Sequence, residues 1–423
     1  MKFSVHAVGF LIISLLLINS YTYPQSIPLK TYTIEDGISS NTVYDILQDY
    51  TGRMYFATDK GLSIYDGKSW LNLGKSDQLK QERMLFSRLA QDSSIWLYSS
   101  ENQHRFHQYK NDKFLTDTRI NNIKSTKALV GFDVIYYENH YIFCAAFGDE
   151  IKLFKNGKWF QVALPNFESK SKIYDVKKDK YNFLIGTSEG LFQINPFDLS
   201  VKLILDKIPD GLSKQILAIH IEQSQNNTKG FSAIWVLSNG WLGEIINNKI
   251  HFLHKTQKLK SIPSLSTFFI LYNGHNKVYY GSMLEKFKLN LQTDRLFELN
   301  LKLGFINPGA YCAFKDFENN IWFGSFRGIE KLSAYKVQNY YKDFGLLENE
   351  SSAIIEIRKN KFLVGHNLGY SILNINSAKS FSVENIITKD FFNGRFLRFA
   401  KDSADQIWIW RGHRFFGALR CQP

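Results

Sequence analysis

One strand motif recurs along almost the whole chain. A short apolar run, usually ending in a small residue, appears as Met54-Tyr55-Phe56-Ala57-Thr58, Ile95-Trp96-Leu97-Tyr98-Ser99 and Ile142-Phe143-Cys144-Ala145-Ala146. It returns as Phe183-Leu184-Ile185-Gly186-Thr187, Ile234-Trp235-Val236-Leu237-Ser238 and Val278-Tyr279-Tyr280-Gly281-Ser282. The last three copies are Ile321-Trp322-Phe323-Gly324-Ser325, Phe362-Leu363-Val364-Gly365-His366 and Ile407-Trp408-Ile409-Trp410-Arg411. The second residue of each falls at 55, 96, 143, 184, 235, 279, 322, 363 and 408, a mean period of about 44 residues. Strand character at that period restricts the chain to a ring of propeller blades.

Each repeat predicts four strands. A first strand often ends in Asp, as in Val43 to Asp49, Phe86 to Asp92, Ile173 to Asp179 and Phe396 to Asp402. Asp and Asn accept hydrogen bonds from their own backbone two residues on, so they start turns. After the aligned strand comes a second turn, with Gly61, Gly190, Gly328 and Gly369 at one offset and Gly240 a residue short. Glycine there is expected to supply positive φ. A third turn reads Asp66-Gly67-Lys68, Asn111-Asp112-Lys113, Asn156-Gly157-Lys158 and Asn247-Asn248-Lys249, the hairpin chemistry of a type I′ turn. An often aromatic fourth strand follows, as in Ser69-Trp70 and Lys158-Trp159-Phe160. Such a four-stranded antiparallel meander cannot bury both its faces alone. Packing sheets around an axis does so, which accounts for 15% aromatic residues and 35 Phe. No useful helical periodicity runs through residues 27–423.

Residues 1–26 read as a signal peptide. Lys2 is the positive start, Val8 to Ile18 is an apolar run of eleven residues, and Asn19, Ser20, Thr22 and Ser26 follow. The run is too short to cross a bilayer, and no Cys follows it for lipid attachment. No later segment predicts a membrane span; Leu265 to Tyr272 is the most apolar and is a strand. The expected location is therefore periplasmic or extracellular. Cys144, Cys312 and Cys421 are an odd count; the first two fall in repeats three and seven, which a ring keeps apart, so they are expected as free thiols. The formal charge of +13 is spread over hairpin turns and not gathered in a stripe, which argues against nucleic acid.

Motifs for chemistry are missing. There is no phosphate-binding glycine loop, no His-Glu-x-x-His, no Gly-x-Ser-x-Gly and no Cys-x-x-Cys. His104 with His107, and His251 with His254, are three apart and so on opposite faces of a strand; they are expected to be surface or loop residues. Asp402-Ser403-Ala404-Asp405 lacks calcium-loop spacing, and turn capping is the expected role of its aspartates. Trp96, Trp235, Trp322 and Trp408 could stack on sugars, but their fixed place in the repeat assigns them to the core. Paired carboxylates for glycoside chemistry cannot be chosen among 39 acidic residues. The sequence thus nominates no catalytic, cofactor-binding or metal residue and no cofactor.

The first unit reads Asp36-Gly37-Ile38-Ser39-Ser40-Asn41-Thr42-Val43, then Ile46, Asp49, Gly52, Tyr55, Ala57-Thr58, Gly61-Leu62 and Tyr65-Asp66-Gly67. It resembles the two-component regulator propeller repeat, whose pattern is Asp-Gly-Leu-Ser-x-Asn-x-Val, a strand ending in Asp, Trp-x-Gly-Thr, Gly-Leu and Asp-Gly. The units holding Gly186, Thr187, Gly190 and Leu191, and Trp322, Gly324, Ser325, Gly328 and Ile329, fit as well. Repeats two, three and five depart from it at Tyr98, Ala145 and Leu237. The resemblance covers residues 30–412 and implies the extracytoplasmic sensor region of a bacterial hybrid or sensor histidine kinase. It implies two seven-bladed propellers that detect a ligand, often a glycan fragment, and self-association as in dimeric sensors. An immunoglobulin-like domain, a transmembrane helix and a kinase would follow; this chain has none of them, so it resembles an N-terminal fragment of such a sensor.

The expected fold is therefore all-β: residues 27–336 form a seven-bladed propeller of four-stranded antiparallel blades, and residues 337–423 form the first blades of a second, incomplete one. Aromatic strands at Lys30 to Gly37 and Val337 to Gly345 precede repeats one and eight. The first could supply the outer strand of blade seven, and the second would open a new ring. A single eight- or nine-bladed ring is the alternative. The expected function is ligand sensing without catalysis. The rivals are a secreted scaffold for protein contacts and a polysaccharide lyase or hydrolase.

Overall fold

The computed structural model describes residues 28–73, 82–100, 105–115, 117–168, 170–205, 208–222, 233–260, 267–334, 342, 345–377, 380–387, 395–411 and 414–419. The expected signal peptide, His104 and Cys421 lie outside the described residues. Among these residues there are 35 strands, three 3-10 turns and no α-helix. The chain divides into two compact units, one spanning Pro28–Tyr335 and the other containing Lys336–Pro423.

In Pro28–Tyr335 six sheets follow the chain in simple meander order, with inner strands Val43–Gln48, Met84–Leu89, Leu129–Tyr137, Ile173–Asp179, Ile216–Glu222 and Phe268–Tyr272. The seventh has inner strand Cys312–Lys315, then Ile321–Ser325 and Gly328–Leu332, and takes its outer strand from the other end of the unit, Leu29–Tyr32. The register is Leu29 to Leu332 through Tyr32 to Ile329. Each inner strand lies against the next, and Cys312–Lys315 lies against Val43–Gln48, so seven blades close a ring.

Every blade has two faces to cover, and strand alternation divides the work. In blade 3, Phe143, Ala145 and Phe147 pack toward blade 2, while Ile142, Cys144 and Ala146 pack toward blade 4. That is why the recurrent strand is an unbroken apolar run. Full burial of each such large side chain contributes about 1.5–3 kcal/mol. Trp96, Trp235 and Trp322 are buried in these interfaces, as their place in the repeat predicts. The small residue in the motif has a steric cause. A Cβ on Gly186 would stand 2.7 Å from the Ile216 carbonyl oxygen of the next blade, and one on Gly324 would stand 2.8 Å from Cys312 Sγ and 3.0 Å from the Val43 oxygen.

The turns follow the expected chemistry with two exceptions. Gly61, Gly190 and Gly328 have positive φ. Gly369 does not; a Cβ there would instead meet the Ile386 carbonyl oxygen at 2.0 Å. Asn111-Asp112, Asn156-Gly157 and Asn247-Asn248 have positive φ at both residues. Asp66-Gly67 opens a longer loop in which Asp66 accepts the backbone N–H groups of Lys68 and Ser69, and the outer strand begins at Trp70.

The opening segment Asp36 to Val43 joins the ring's ends. Asp36 accepts from Thr33 N, Asn41 Oδ1 accepts from Ile34 N, and Asn41 O accepts from Gly328 N. Ser39 N donates to Ser63 Oγ, which donates to Asn72 Oδ1, and Asn72 Nδ2 donates to Gly37 O. Repeat eight makes the same four side-chain bonds: Lys342 N to Asn349 Oδ1, Leu347 N to Ser371 Oγ, Ser371 Oγ to Asn385 Oδ1 and Asn385 Nδ2 to Gly345 O. The second unit thus opens in the manner of the first. It holds a four-stranded sheet, with strands from Ala353–Arg358 to Ser380–Ile387, and a three-stranded sheet, with strands from Phe396–Lys401 to Arg414–Leu419.

Blades 6 and 7 share a wholly buried ion pair, Lys286 Nζ to Glu330 Oε2 at 2.9 Å. Lys286 also donates to the Asn307 carbonyl and lies 4.6 Å from the Phe305 ring centre, and Glu330 Oε1 accepts the backbone N–H groups of Ile306 and Asn307. Removing one partner strands a charge in the interface.

Two substitutions test this account. Gly324→Val is expected to lower unfolding free energy by about 1–3 kcal/mol through overpacking between blades 7 and 1. Glu330→Ala is expected to cost about 3–5 kcal/mol, more than the double change Lys286→Met with Glu330→Ala. Denaturant titration of the folded chain measures both.

Candidate functional site

Residues singled out by the repeat resolve into structural parts. Asp49 accepts from Thr51 N, Arg53 N and the Tyr55 hydroxyl, and Asp316 accepts from Asn320 N and Trp322 Nε1. Asp402 accepts from Ala404 N, Gln406 N and Trp408 Nε1. The aspartate at the end of the first strand therefore caps its turn and holds the aromatic residue six positions on. Three of the four histidines stand on strands: His107 on Arg105–Lys110, facing Glu82 at 3.0 Å, and His251, exposed as expected, with His254 on Lys249–Lys255, His254 being 3.0 Å from Asp294. Cys144 and Cys312 are free thiols in blades 3 and 7. No group of three or more His, Cys, Asp or Glu among the described residues is arranged to hold a metal.

What the repeat does not account for gathers on the inner strands around the ring axis. Three aspartates do the same work there. Asp45 Oδ1 accepts the next residue's N–H, Ile46, while Oδ2 accepts Ser87 N of blade 2. Asp133 does so with Val134 and Lys178 of blade 4, and Asp175 with Val176 and Ile219 of blade 5. Each carboxylate ties its strand to the next inner strand. Arg88 bonds Asp45 at 2.7 Å and the Phe132 carbonyl at 2.8 Å, and stands 4.0 Å from Asp133. Burial opposes its charge, but the fields of Asp45, Asp133 and Asp175 outweigh burial and raise its pKa. Lys178 Nζ donates to the carbonyls of Leu89 and Val134, and Lys177 pairs with Asp175 at 3.3 Å.

Blades 5 to 7 carry fewer charges on this lining. His220, on the inner strand of blade 5, is held neutral by burial and then by the fields of Lys315 and Lys177, which push its pKa down to about 3. Among the described residues, Lys315 has no ion-pair partner within 4 Å. Its Nζ and Glu222 Oε1 each lie 3.7 Å from the point where a Cβ on Gly274 would stand. Burial raises the Cys312 thiol well above its ordinary value, followed by the field of Asp45; Lys177 and Arg88 act on it in the other direction.

One register shift marks one end of this lining. Inner strands carry a bulge between Val43 and Asp45, Met84 and Phe86, Leu129 and Gly131, Ile173 and Asp175, and Ile216 and Ala218. A bulge re-aims the extra side chain; here the extra residues are Tyr44, Leu85, Val130, Tyr174 and Leu217. Tyr44 meets Tyr311 of blade 7 with ring centres 5.2 Å apart. The charged lining and the Tyr44–Tyr311 pair together make the axis the candidate binding site. Sequence reasoning missed it, although a signal exists: Val43-Tyr44-Asp45-Ile46 and Ile173-Tyr174-Asp175-Val176 place the same Tyr-Asp inside otherwise apolar strands.

Residues 37–60 match the two component regulator propeller family model, and the first repeat is a repeat of that kind. No curated protein matches the sequence. The extracellular domain of the putative one component system BT4673 from B. thetaiotaomicron is similar at 16% identity and TM-score 0.54, covering 92% of this chain and 51% of that one. The extracellular domain of the putative hybrid two component system BT3049 from B. thetaiotaomicron follows at 18% identity and TM-score 0.53, covering 93% and 53%. PorZ, a bacterial surface component of the type-IX secretion system of Porphyromonas gingivalis, is similar at 11% identity and TM-score 0.50, covering 89% and 58%. At such identities the likeness is one of fold. The chain spans about half the length of the first two.

Two measurements test the axis. Arg88→Met leaves Asp45 without its cation and is expected to cost about 3–5 kcal/mol of stability in denaturant. His220 binds its proton more weakly folded than unfolded, so stability should fall as pH drops from about 6.5 toward 3. Midpoint temperature against pH should show that decline, and His220→Gln should flatten it.

Proposed function

We propose that this chain is the extracytoplasmic, ligand-sensing part of a two-component signalling receptor, and that it binds without catalysing a reaction. The observation that carries the proposal is the matched repeat at residues 37–60, together with a second unit that opens on the same hydrogen bonds. The similar extracellular domains from B. thetaiotaomicron support it through their fold. The leader-like segment from Lys2 to Ser26 supports export. Among the described residues no helix is long and apolar enough to cross a membrane. Signal transmission would then depend on a membrane-spanning and kinase region of the receptor. The ligand is a glycan fragment or another small polar molecule, and the channel along the axis, rimmed by Tyr44, Tyr174 and Tyr311, is its proposed entrance.

Thermal unfolding of the purified chain against a panel of oligosaccharides tests this. A ligand at a hundred times its dissociation constant should add about 2.7 kcal/mol to stability. Release of unsaturated or reducing sugar ends during incubation would overturn the non-catalytic proposal in favour of a lyase or hydrolase.

A further inference from the structure

Most large aromatic side chains of the first propeller are spent on interfaces between blades, and among those left exposed three form a cluster. Tyr137 at the end of the blade 3 inner strand, Tyr181 in the first turn of blade 4 and Phe197 in its outer hairpin are 37%, 54% and 42% exposed. They touch one another: Tyr137 stands edge-on to Tyr181 at 5.5 Å and to Phe197 at 5.1 Å. The hairpin that carries Phe197 is braced. Lys155 of blade 3 donates to the Pro196 and Phe197 carbonyls at 3.0 and 2.6 Å, Asn195 Oδ1 accepts Phe197 N, and Asp198 Oδ1 accepts Ser200 N. The rings are therefore exposed but fixed in place, so a ligand that covers them loses little side-chain freedom.

Across the same hairpin lies a cleft of about 220 Å³ lined by Asn182, Gln193, Asn195, Asp198, Ser200 and Lys202. Asn182, Gln193 and Lys202 share the sheet face of Leu184 and Leu191, which looks toward blade 5, whereas the aromatic trio lies on the blade 3 side. Among the described residues, Asn182 and Gln193 have no side-chain hydrogen-bond partner. The lining offers amide donors and acceptors, a carboxylate, a hydroxyl and an ammonium group together. An apolar peptide would leave these groups unpaired, and a simple anion would leave the rings uncovered. A sugar chain satisfies both, because its ring C–H faces stack on aromatic side chains and its hydroxyls both donate and accept.

We infer that the end of blade 4 is an oligosaccharide-binding site, at which one sugar ring packs against the cluster of Tyr137, Tyr181 and Phe197 and a neighbouring ring enters the polar cleft on the far side of the hairpin. This rests on the sensor proposal and deepens it by giving its glycan class a second contact, separate from the axis. Because the two halves lie on opposite sides of a hairpin, the site favours a chain of several units over a monosaccharide.

The test is a glycan array carrying neutral, uronic and sulfated oligosaccharides, probed with the whole chain and followed by titration of the best-bound sugar at two chain lengths. The expected result is binding that strengthens from disaccharide to hexasaccharide and weakens at least tenfold in Tyr181→Ala with Phe197→Ala, and again in Asn182→Ala with Gln193→Ala. All four side chains lie at a surface, so the melting temperature should hold and separate lost binding from lost folding. Sugar binding that both double variants retain would overturn the site while leaving the glycan-sensing proposal standing. No binding to any arrayed sugar would overturn both.

Discussion

A blade whose two faces are both apolar cannot be stable by itself, and the rest of the structure depends on that fact. Each sheet has to be covered on both sides, and only a closed circle of sheets gives every blade two neighbours. The recurrent strand shows the demand directly, since consecutive residues such as Phe143 and Cys144 face different neighbours and both are buried. Close contact follows from it. Gly186 and Gly324 are needed because the next inner strand runs where a Cβ would stand. In blades 2 and 5 a side chain fills that place, and Tyr98 and Leu237 become part of the adjacent interface.

The order of the strands, the spacing of the blades and the chemistry of most turns were legible in the sequence, because each rests on local preference or on a repeated hydrophobic pattern. Asp49, Asp316 and Asp402 are turn caps for a reason visible at the sequence level. Gly369 shows the limit: its position predicts a left-handed turn residue, but its constraint is a nearby carbonyl from an adjacent strand. Asp66 shows another, since its side chain stabilises a wider loop than the Asp-Gly pair suggests. What lay beyond sequence reasoning was contact between blades distant in the chain. Nothing local says that Lys286 will meet Glu330, or that Arg88 will lie between Asp45 and Asp133.

The polar residues fall into two groups with different meanings. Those that recur with the repeat are engaged in capping or in closing a blade. Those on the inner strands recur only in part and are uneven around the ring: blades 1 to 4 supply the interlocked acids and bases, whereas blades 5 to 7 supply His220, Lys315 and Cys312. The same contrast separates aromatic residues. Trp96, Trp235 and Trp322 are packed away, while Tyr137, Tyr181 and Phe197 stand in the open. The inner-strand groups and the aromatic cluster at the end of blade 4 thus stand apart from the repeat's structural needs.

Closure through Leu29–Tyr32 has a kinetic consequence. The strand that completes the seventh blade is the first of the ring to be made, and its partner Gly328–Leu332 is the last of the ring. A chain made from its amino end must keep that strand unpaired until almost the entire ring has been made. Such long-range pairing slows folding and leaves a strand edge open meanwhile. The hydrogen bonds around Asn41 and Ser39 give that waiting segment a local anchor on blade 1, so the ring holds its own fastener ready before there is anything to fasten.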